Sequence, residues 1–423
     1  MGCEMMTRIP LMVSTFGQEE IDAAVDVLRS SFVTMGAKCL EFEDSFAAYV
    51  GARHAVFVNS GSSANLLAFF ALANPAISLR NGHRKLERGA EVIVPAVTWS
   101  TTIWPIVQAG GIPVLVDSDP QTLQMDLDSV KKAIGPNTVG ICPVHVLGNA
   151  VPMEPILRLA AENGLWVVED ACEAVGTRHR GKQVGTFGNM GTYSFFMSHQ
   201  ITTIEGGMVV TDDDDHADLL RCLRAHGWSR NLRNRKAIEA RHPTIDSRFL
   251  FVNTGFNLRP TEVSAVFGLQ QLKKLDAFNR RRVESCNAWN AAFEPLFMAG
   301  LLTPIHATQY TQPAWFSHAV VCQSKQMCEA LQAHLEGCGI ETRPIICGNI
   351  ARQPAFEHIV HRIPGPLTGA DRIMDCGLYW GSSPRMTDAD IDYVSQSVQK
   401  FFANQFRDSS LSSSSKRTMW QPV

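Results

Sequence analysis

The chain has little of what would tie it to a membrane, a nucleic acid or an oxidising compartment. No apolar run reaches the roughly 18 residues a bilayer span needs, so no membrane partner is expected. Charge of one sign is missing too: 38 Lys and Arg stand against 41 Asp and Glu, a net charge of -3. Without a broad basic footprint, nucleic acid is not expected as the main partner, and small molecules are. The eleven cysteines include no CxxC pair, and the nearest two are Cys322 and Cys328. That scatter excludes a disulfide framework and fits a reducing cytoplasm. The first residues lack an apolar signal core, and Met6 stands where a myristoylation signal needs Ser or Thr. The most consequential absence is of lysine: none lies between Lys182 and Lys236. That stretch holds no primary amine able to carry a carbonyl cofactor as an imine.

What is present is ordinary globular material, 45% hydrophobic and 19% charged in 423 residues, enough for two or three domains. Apolar runs bounded by Gly and Pro occur at Ala55–Val58, Glu91–Val94, Ile112–Val116, Val139–Val144, Trp166–Glu169, Gly191–Phe195 and Met208–Thr211. Alternating with helical patterns, they predict an α/β domain over 1–275, built on a doubly wound, mostly parallel seven-stranded sheet. Gln18–Ser30 and Glu154–Asn163 read as amphipathic helices, with Gly164 placed for a left-handed cap. Leu258 through Arg281, with Pro260 near its start, predicts a long helix leading into a smaller C-terminal α/β domain at 276–406. The serine-rich run at 407–423 cannot bury enough surface to fold alone, so a disordered tail is expected.

Several places in this frame carry candidate chemistry. Asn59-Ser60-Gly61-Ser62-Ser63-Ala64-Asn65 follows a strand and opens a helix, where backbone N–H groups approach an anion or simply receive an N-cap. Asp170 ends an apolar strand, where open α/β sheets bind ligands, although an Asp there also caps the next helix. Trp99 suits a core as well as a binding face, and Ser194 is equally an ordinary strand-end serine.

The order of these pieces resembles the DegT/DnrJ/EryC1/StrS sugar aminotransferases. In that family Ser-Phe, three residues and Lys precede a Glu-Gly-Gly turn; here Ser194-Phe195 is followed by His199 and by Glu205-Gly206-Gly207. The likeness runs over roughly residues 8 to 405 and includes Pro143-Val144-His145-Val146-Leu147-Gly148. It implies an aspartate-aminotransferase-like fold, fold type I of the pyridoxal phosphate enzymes. It implies that Gly61, Ser62 and Ser63 hold the cofactor phosphate with Ser194, and that Trp99 stacks on the pyridine ring. Asp170 pairs with the ring nitrogen, and Glu173 in the same Glu169–Ala174 run joins the cofactor-binding set. Asn257, in Gly255-Phe256-Asn257-Leu258-Arg259, would reach the phosphate of a neighbouring subunit, which implies a homodimer with shared active sites.

Histidine in place of the lysine changes the expected reaction. Imidazole exchanges protons near neutrality but forms no stable imine. The pattern, with Arg224-Ala225-His226-Gly227-Trp228, resembles the branch of the family that makes 3-deoxysugars. That branch implies a lyase using pyridoxal and pyridoxamine phosphate to remove the C3 hydroxyl of a nucleotide-linked 4-keto-6-deoxy sugar. Glutamate would be the amino donor and ammonia the by-product, with His199 the catalytic base. Gln200 and Ile204 depart from the branch's usual residues, and His145 and His226 are secondary candidates for packing or substrate contact. A sister type pairs the histidine with an iron–sulfur cluster. Only Cys222 lies between Cys172 and Cys286, so neither a cluster nor another metal is expected. Two other readings remain: an aminotransferase using Lys182 or Lys236, and a non-catalytic cofactor-binding subunit.

Overall fold

The seven apolar runs form one sheet. Its strands are β1 (His54–Val58), β2 (Glu91–Pro95), β3 (Ile112–Val116), β4 (Thr138–Ile141), β5 (Trp166–Asp170), β6 (Met190–Ser194) and β7 (Gly207–Thr211). This computed structural model describes residues 9–414, with side chains over 9–405. The strand order is β1-β7-β6-β5-β4-β2-β3; β7 alone runs antiparallel to its neighbours, and every other pair is parallel. Nearly every residue of these strands is buried, because helices cover both faces, which explains near-continuous Val and Ile instead of alternation. Against the expected Val139–Val144, β4 stops at Ile141, two residues before Pro143, which has no N–H for a ladder.

The covering helices include α1 (Gln18–Ser30), α2 (Ala37–Val50), α3 (Gly61–Ala73), α4 (Ser100–Gln108), α5 (Met153–Asn163) and α6 (Asp214–Arg224). Gly164 caps α5 at φ 62, the left-handed conformation that glycine adopts without strain. On one face of the sheet Phe42, Phe46, Phe57, Tyr193 and Phe195 interlock edge to face. On the other, Leu67, Phe69 and Leu72 of α3 meet Trp166.

The long helix α7 spans Glu262–Met298, and Thr261 caps it by accepting from the Ser264 N–H. Its first turns pack on α1 and α2; its last turns carry Trp289 and Phe293 into a second core with Trp380. That core belongs to a four-stranded antiparallel sheet, β8 (Leu302–Pro304), β9 (Ser317–Cys322), β10 (Thr342–Pro344) and β11 (Gly377–Gly381), in the order β8-β9-β11-β10. The last helix, α8, spans Asp388–Ser414 and is anchored by the buried Phe401 and Phe402. The expected disordered tail thus begins, over 407–414, as a continuation of α8; residues 415–423 lie outside the described residues, as do 1–8. Among the described residues, no helix is long and apolar enough to cross a membrane.

Candidate active site

The carboxyl ends of β1, β5 and β6 and the start of β7 meet at one edge of the sheet. Ser60, just past β1, caps α3 with Oγ accepting the Ser63 N–H at 3.0 Å, and its hydroxyl donates to Ser63 Oγ at 2.9 Å. Ser63 is therefore turned inward to the cap. Gly61 and Ser62 lead the first turn, whose N–H groups have no intrahelical acceptor, so this helix end suits an anion. Ser62 is exposed and donates to Thr101 Oγ1 at 3.0 Å. A Cβ on Gly61 would lie 2.4 Å from Ser194 Cβ and 2.8 Å from its hydroxyl, so only glycine lets α3 close on the end of β6.

Asp170 ends β5 with 5% exposure. Its Oδ2 accepts from Asn65 Nδ2 at 2.9 Å and from Thr102 Oγ1 at 2.7 Å, and its Oδ1 accepts the Cys172 N–H at 3.1 Å. Thr192 fixes Asn65 in turn by donating to its Oδ1 at 2.6 Å. Trp99, at the N-cap position of α4, is 59% exposed and offers an open flat face. An anion-seeking helix end, a uniformly oriented carboxylate and an open indole fit a flat, phosphate-bearing ring with a basic nitrogen.

Glu173 accepts the Leu147 N–H at 2.8 Å, and burial, with a smaller contribution from the Asp170 charge, pushes its carboxyl up to about 7. Beside it, Gln200 is fully buried and donates to the carbonyls of Glu173 and Ala314, tying the loop after β6 to the turn after β5.

That loop carries His199, which keeps a partly exposed edge. Its ring meets Phe316 at 5.3 Å and Phe196 at 6.2 Å, and Ser198 Oγ lies 3.5 Å from Nδ1. Burial first, and the Arg282 guanidinium second, push the imidazole down to about 3. At neutral pH it is an unprotonated base. Arg282, Phe316, Tyr379, Ser382 and Ser383 share its cleft.

Other candidates stand apart. Lys182 is exposed in a hairpin formed by Arg178–His179 and Lys182–Gln183, its Nζ 5.0 Å from the Phe187 ring centroid. Lys236 is exposed on the short helix Arg235–Arg241. His145 is fully buried: Nδ1 accepts the Val151 N–H at 3.1 Å, so Nε2 donates to Glu169 Oε2 at 3.2 Å, a packing role. His226, at φ 61, lies against Trp228, 4.9 Å between centroids. Asn257 is exposed, and its Oδ1 accepts from Arg259 Nε at 2.9 Å; the next residue, Leu258, accepts the Asn59 N–H at 3.1 Å, beside the Ser60 turn. Among the described residues, no group of three or more His, Cys, Asp or Glu is arranged to hold a metal ion.

Sequence reading missed Asn65, Thr102 and Arg282. Each of the first two is the last polar residue before the apolar run of its helix, a legible place for a buried partner. Arg282 sits in the register of Leu275, Asn279, Cys286, Trp289 and Phe293, where a charge among core positions marks a special contact.

Residues 14–399 match the DegT/DnrJ/EryC1/StrS aminotransferase family, and the chain belongs to it. It is 38% identical over 384 residues to the GDP-4-keto-6-deoxy-D-mannose 3-dehydratase of Yersinia pseudotuberculosis, covering 90% of this chain and 95% of that one. The fold superposes on the E. coli GDP-4-keto-6-deoxy-D-mannose 3-dehydratase with bound hydrated pyridoxal phosphate at TM-score 0.84, 33% identity, and 93% and 100% coverage. A GDP-4-keto-6-deoxymannose 3-dehydratase holding a trapped pyridoxal phosphate–glutamate geminal diamine matches at TM-score 0.84, 33% identity, and 92% and 100% coverage.

Proposed function

We propose that this protein is a pyridoxal/pyridoxamine phosphate-dependent 3-dehydratase of a nucleotide-linked 4-keto-6-deoxy sugar, GDP-linked by likeness to its relatives. Glutamate is the amino donor. The observation that carries the reading is His199: a neutral imidazole in the cleft, in a stretch from 183 to 235 without a lysine. The bound cofactor supplies an amine for the sugar's keto group and a ring that accepts an electron pair. Gly61, Ser62 and Ser194 hold its phosphate, with Ser63 setting the cap that leaves the first-turn N–H groups free. Trp99 covers one ring face, Asp170 meets the ring nitrogen, and Glu173 adds a polar contact from the neighbouring turn. His199 takes a proton at Nε2, since Nδ1 faces the Ser198 hydroxyl. Having no amine, it cannot recapture the cofactor, which favours loss of the C3 hydroxyl over amination. The sugar leaves one oxygen atom lighter, and the glutamate nitrogen leaves as ammonia.

The reading extends to a cytoplasmic homodimer in which Asn257 reaches the partner's phosphate site, with the large domain at 1–275 and the small one at 276–406 joined through α7. Exposed Leu28, Phe32, Val33 and Leu40 on α1, α2 and their connection support a buried dimer face. Mixing His199→Asn with Asn257→Asp tests the sharing: random hybrids recover about a quarter of wild-type activity if each site draws on both subunits, and none if Asn257 serves its own subunit. The reaction itself is tested by mass analysis of GDP-, CDP- and TDP-linked 4-keto-6-deoxy hexoses after incubation with glutamate. A product one oxygen lighter, with ammonia, supports it. An amino sugar, or cofactor binding without turnover across the panel, contradicts it.

A further inference from the structure

Arg282 lies on the buried stripe of α7 and is 3% exposed. Its Nε donates to the Ser382 carbonyl at 3.0 Å, and its two terminal nitrogens donate to the Gln200 and His199 carbonyls, each at 3.2 Å. Among the described residues it forms no ion pair, and no carboxylate figures in its charge balance. A buried cation without a counter-ion is costly, and an aliphatic side chain would fill this register at lower cost. Burial pushes the guanidinium down to about 10, so it stays charged at neutral pH. The guanidinium reaches the three carbonyls from three separate nitrogens, a span that the single ammonium nitrogen of lysine does not reproduce.

We propose that Arg282 is the positioning residue for His199: its guanidinium pins the His199–Gln200 peptides to Ser382 of the small domain and so fixes the imidazole in the cleft. The assignment rests on the dehydratase reading, in which His199 moves the proton. The clamp also leaves a positive charge beside the ring, and this disfavours a second one there. Of the other titratable groups, Tyr379 enters the cleft from β11 and feels the charges of Glu173, Arg343 and Glu341, while the Cys286 thiol, pushed up to about 12 by burial, acts on Arg282. The remaining lining residues, at 11–15, 197–198, 316–317 and 382–383, are apolar or hydroxyl-bearing.

The test compares Arg282→Met and Arg282→Lys with the wild type. The methionine variant is expected to load cofactor, read by absorbance, and to lose roughly a hundredfold in kcat with KM little changed, as a displaced reacting group does. The acid limb of its kcat profile moves to higher pH, and the lysine variant, which returns the charge, moves it back while recovering only part of kcat. NMR of labelled histidines, with His199 assigned through His199→Asn, reads the same change without turnover: the ring protonates at higher pH in the methionine variant. A folded Arg282→Met with wild-type kcat and an unchanged His199 titration would overturn the assignment. If Arg282→Met does not fold, wild-type kcat and pH profile in Arg282→Lys overturn it, and a reduced kcat supports it. If the wild type shows no dehydration, the functional reading fails, and the NMR titration still decides for or against Arg282.

Discussion

The cradle around Asp170 and the loop that carries His199 are held by different kinds of contact. Around Asp170, the uncharged donors Asn65, Thr102 and the Cys172 N–H bond the carboxylate, and Thr192 holds Asn65 in place. The His199 loop is held through its own carbonyls at His199 and Gln200, which accept from Arg282, itself bonded to the Ser382 carbonyl, and through the Gln200 side chain, which donates to the carbonyls of Glu173 and Ala314. It also contains Ile204 at φ 71, a left-handed conformation that a β-branched residue adopts only under strain. The cradle needs no lysine to keep its shape; the loop is where the chemistry differs.

The sharpest way to separate the two regions is His199→Asn. The cradle should still bind cofactor while dehydration falls by about 10²- to 10⁴-fold, the usual contribution of a proton-transferring side chain, measured by product mass and cofactor absorbance. Gly61→Ala attacks the cradle instead. Its methyl meets Ser194 at 2.4 Å; cofactor affinity should drop, and melting should show a destabilisation of about 1–3 kcal/mol.

Titration gives a third contrast. Glu173 is raised to about 7, so between the ordinary carboxylate range and that value the folded chain binds a proton the unfolded chain has lost. Its contribution to stability is therefore complete at low pH and is lost as pH rises through about 7. His199 is lowered to about 3, so its contribution has the opposite sign and is lost as pH falls below the ordinary histidine value. Glu173→Gln should remove the first slope from denaturant-derived stability between mildly acidic and neutral pH while leaving the second. The smallest effect is expected from Ile204→Gly, which relieves left-handed strain worth about 1–2 kcal/mol against glycine's own entropy, and should raise the melting temperature slightly.

Much of this was legible because it is local. α1 lies where its periodicity put it, and all seven sheet strands coincide with apolar runs bounded by turn residues, apart from the end of β4 at Pro143. The Ser-Gly-Ser turn, Asp170 at a strand end and the missing lysine were legible for the same reason. The short antiparallel strands of the second sheet were not, since runs such as Leu302–Pro304 are too brief to show a period. Nor were the supports of the site: Asn65 meets Asp170 across 105 positions, and Arg282 meets Ser382 across 100. Contacts at such separations are created by the fold and leave in the sequence only a polar residue in an apolar register.

Borohydride reduction of the pyridoxal phosphate-loaded protein, followed by peptide mass mapping, tests the central claim most directly. No peptide of the wild-type chain should carry reduced cofactor, whereas His199→Lys should carry it at position 199. Reduced cofactor on any lysine of the wild type, Lys182 and Lys236 included, would contradict the account.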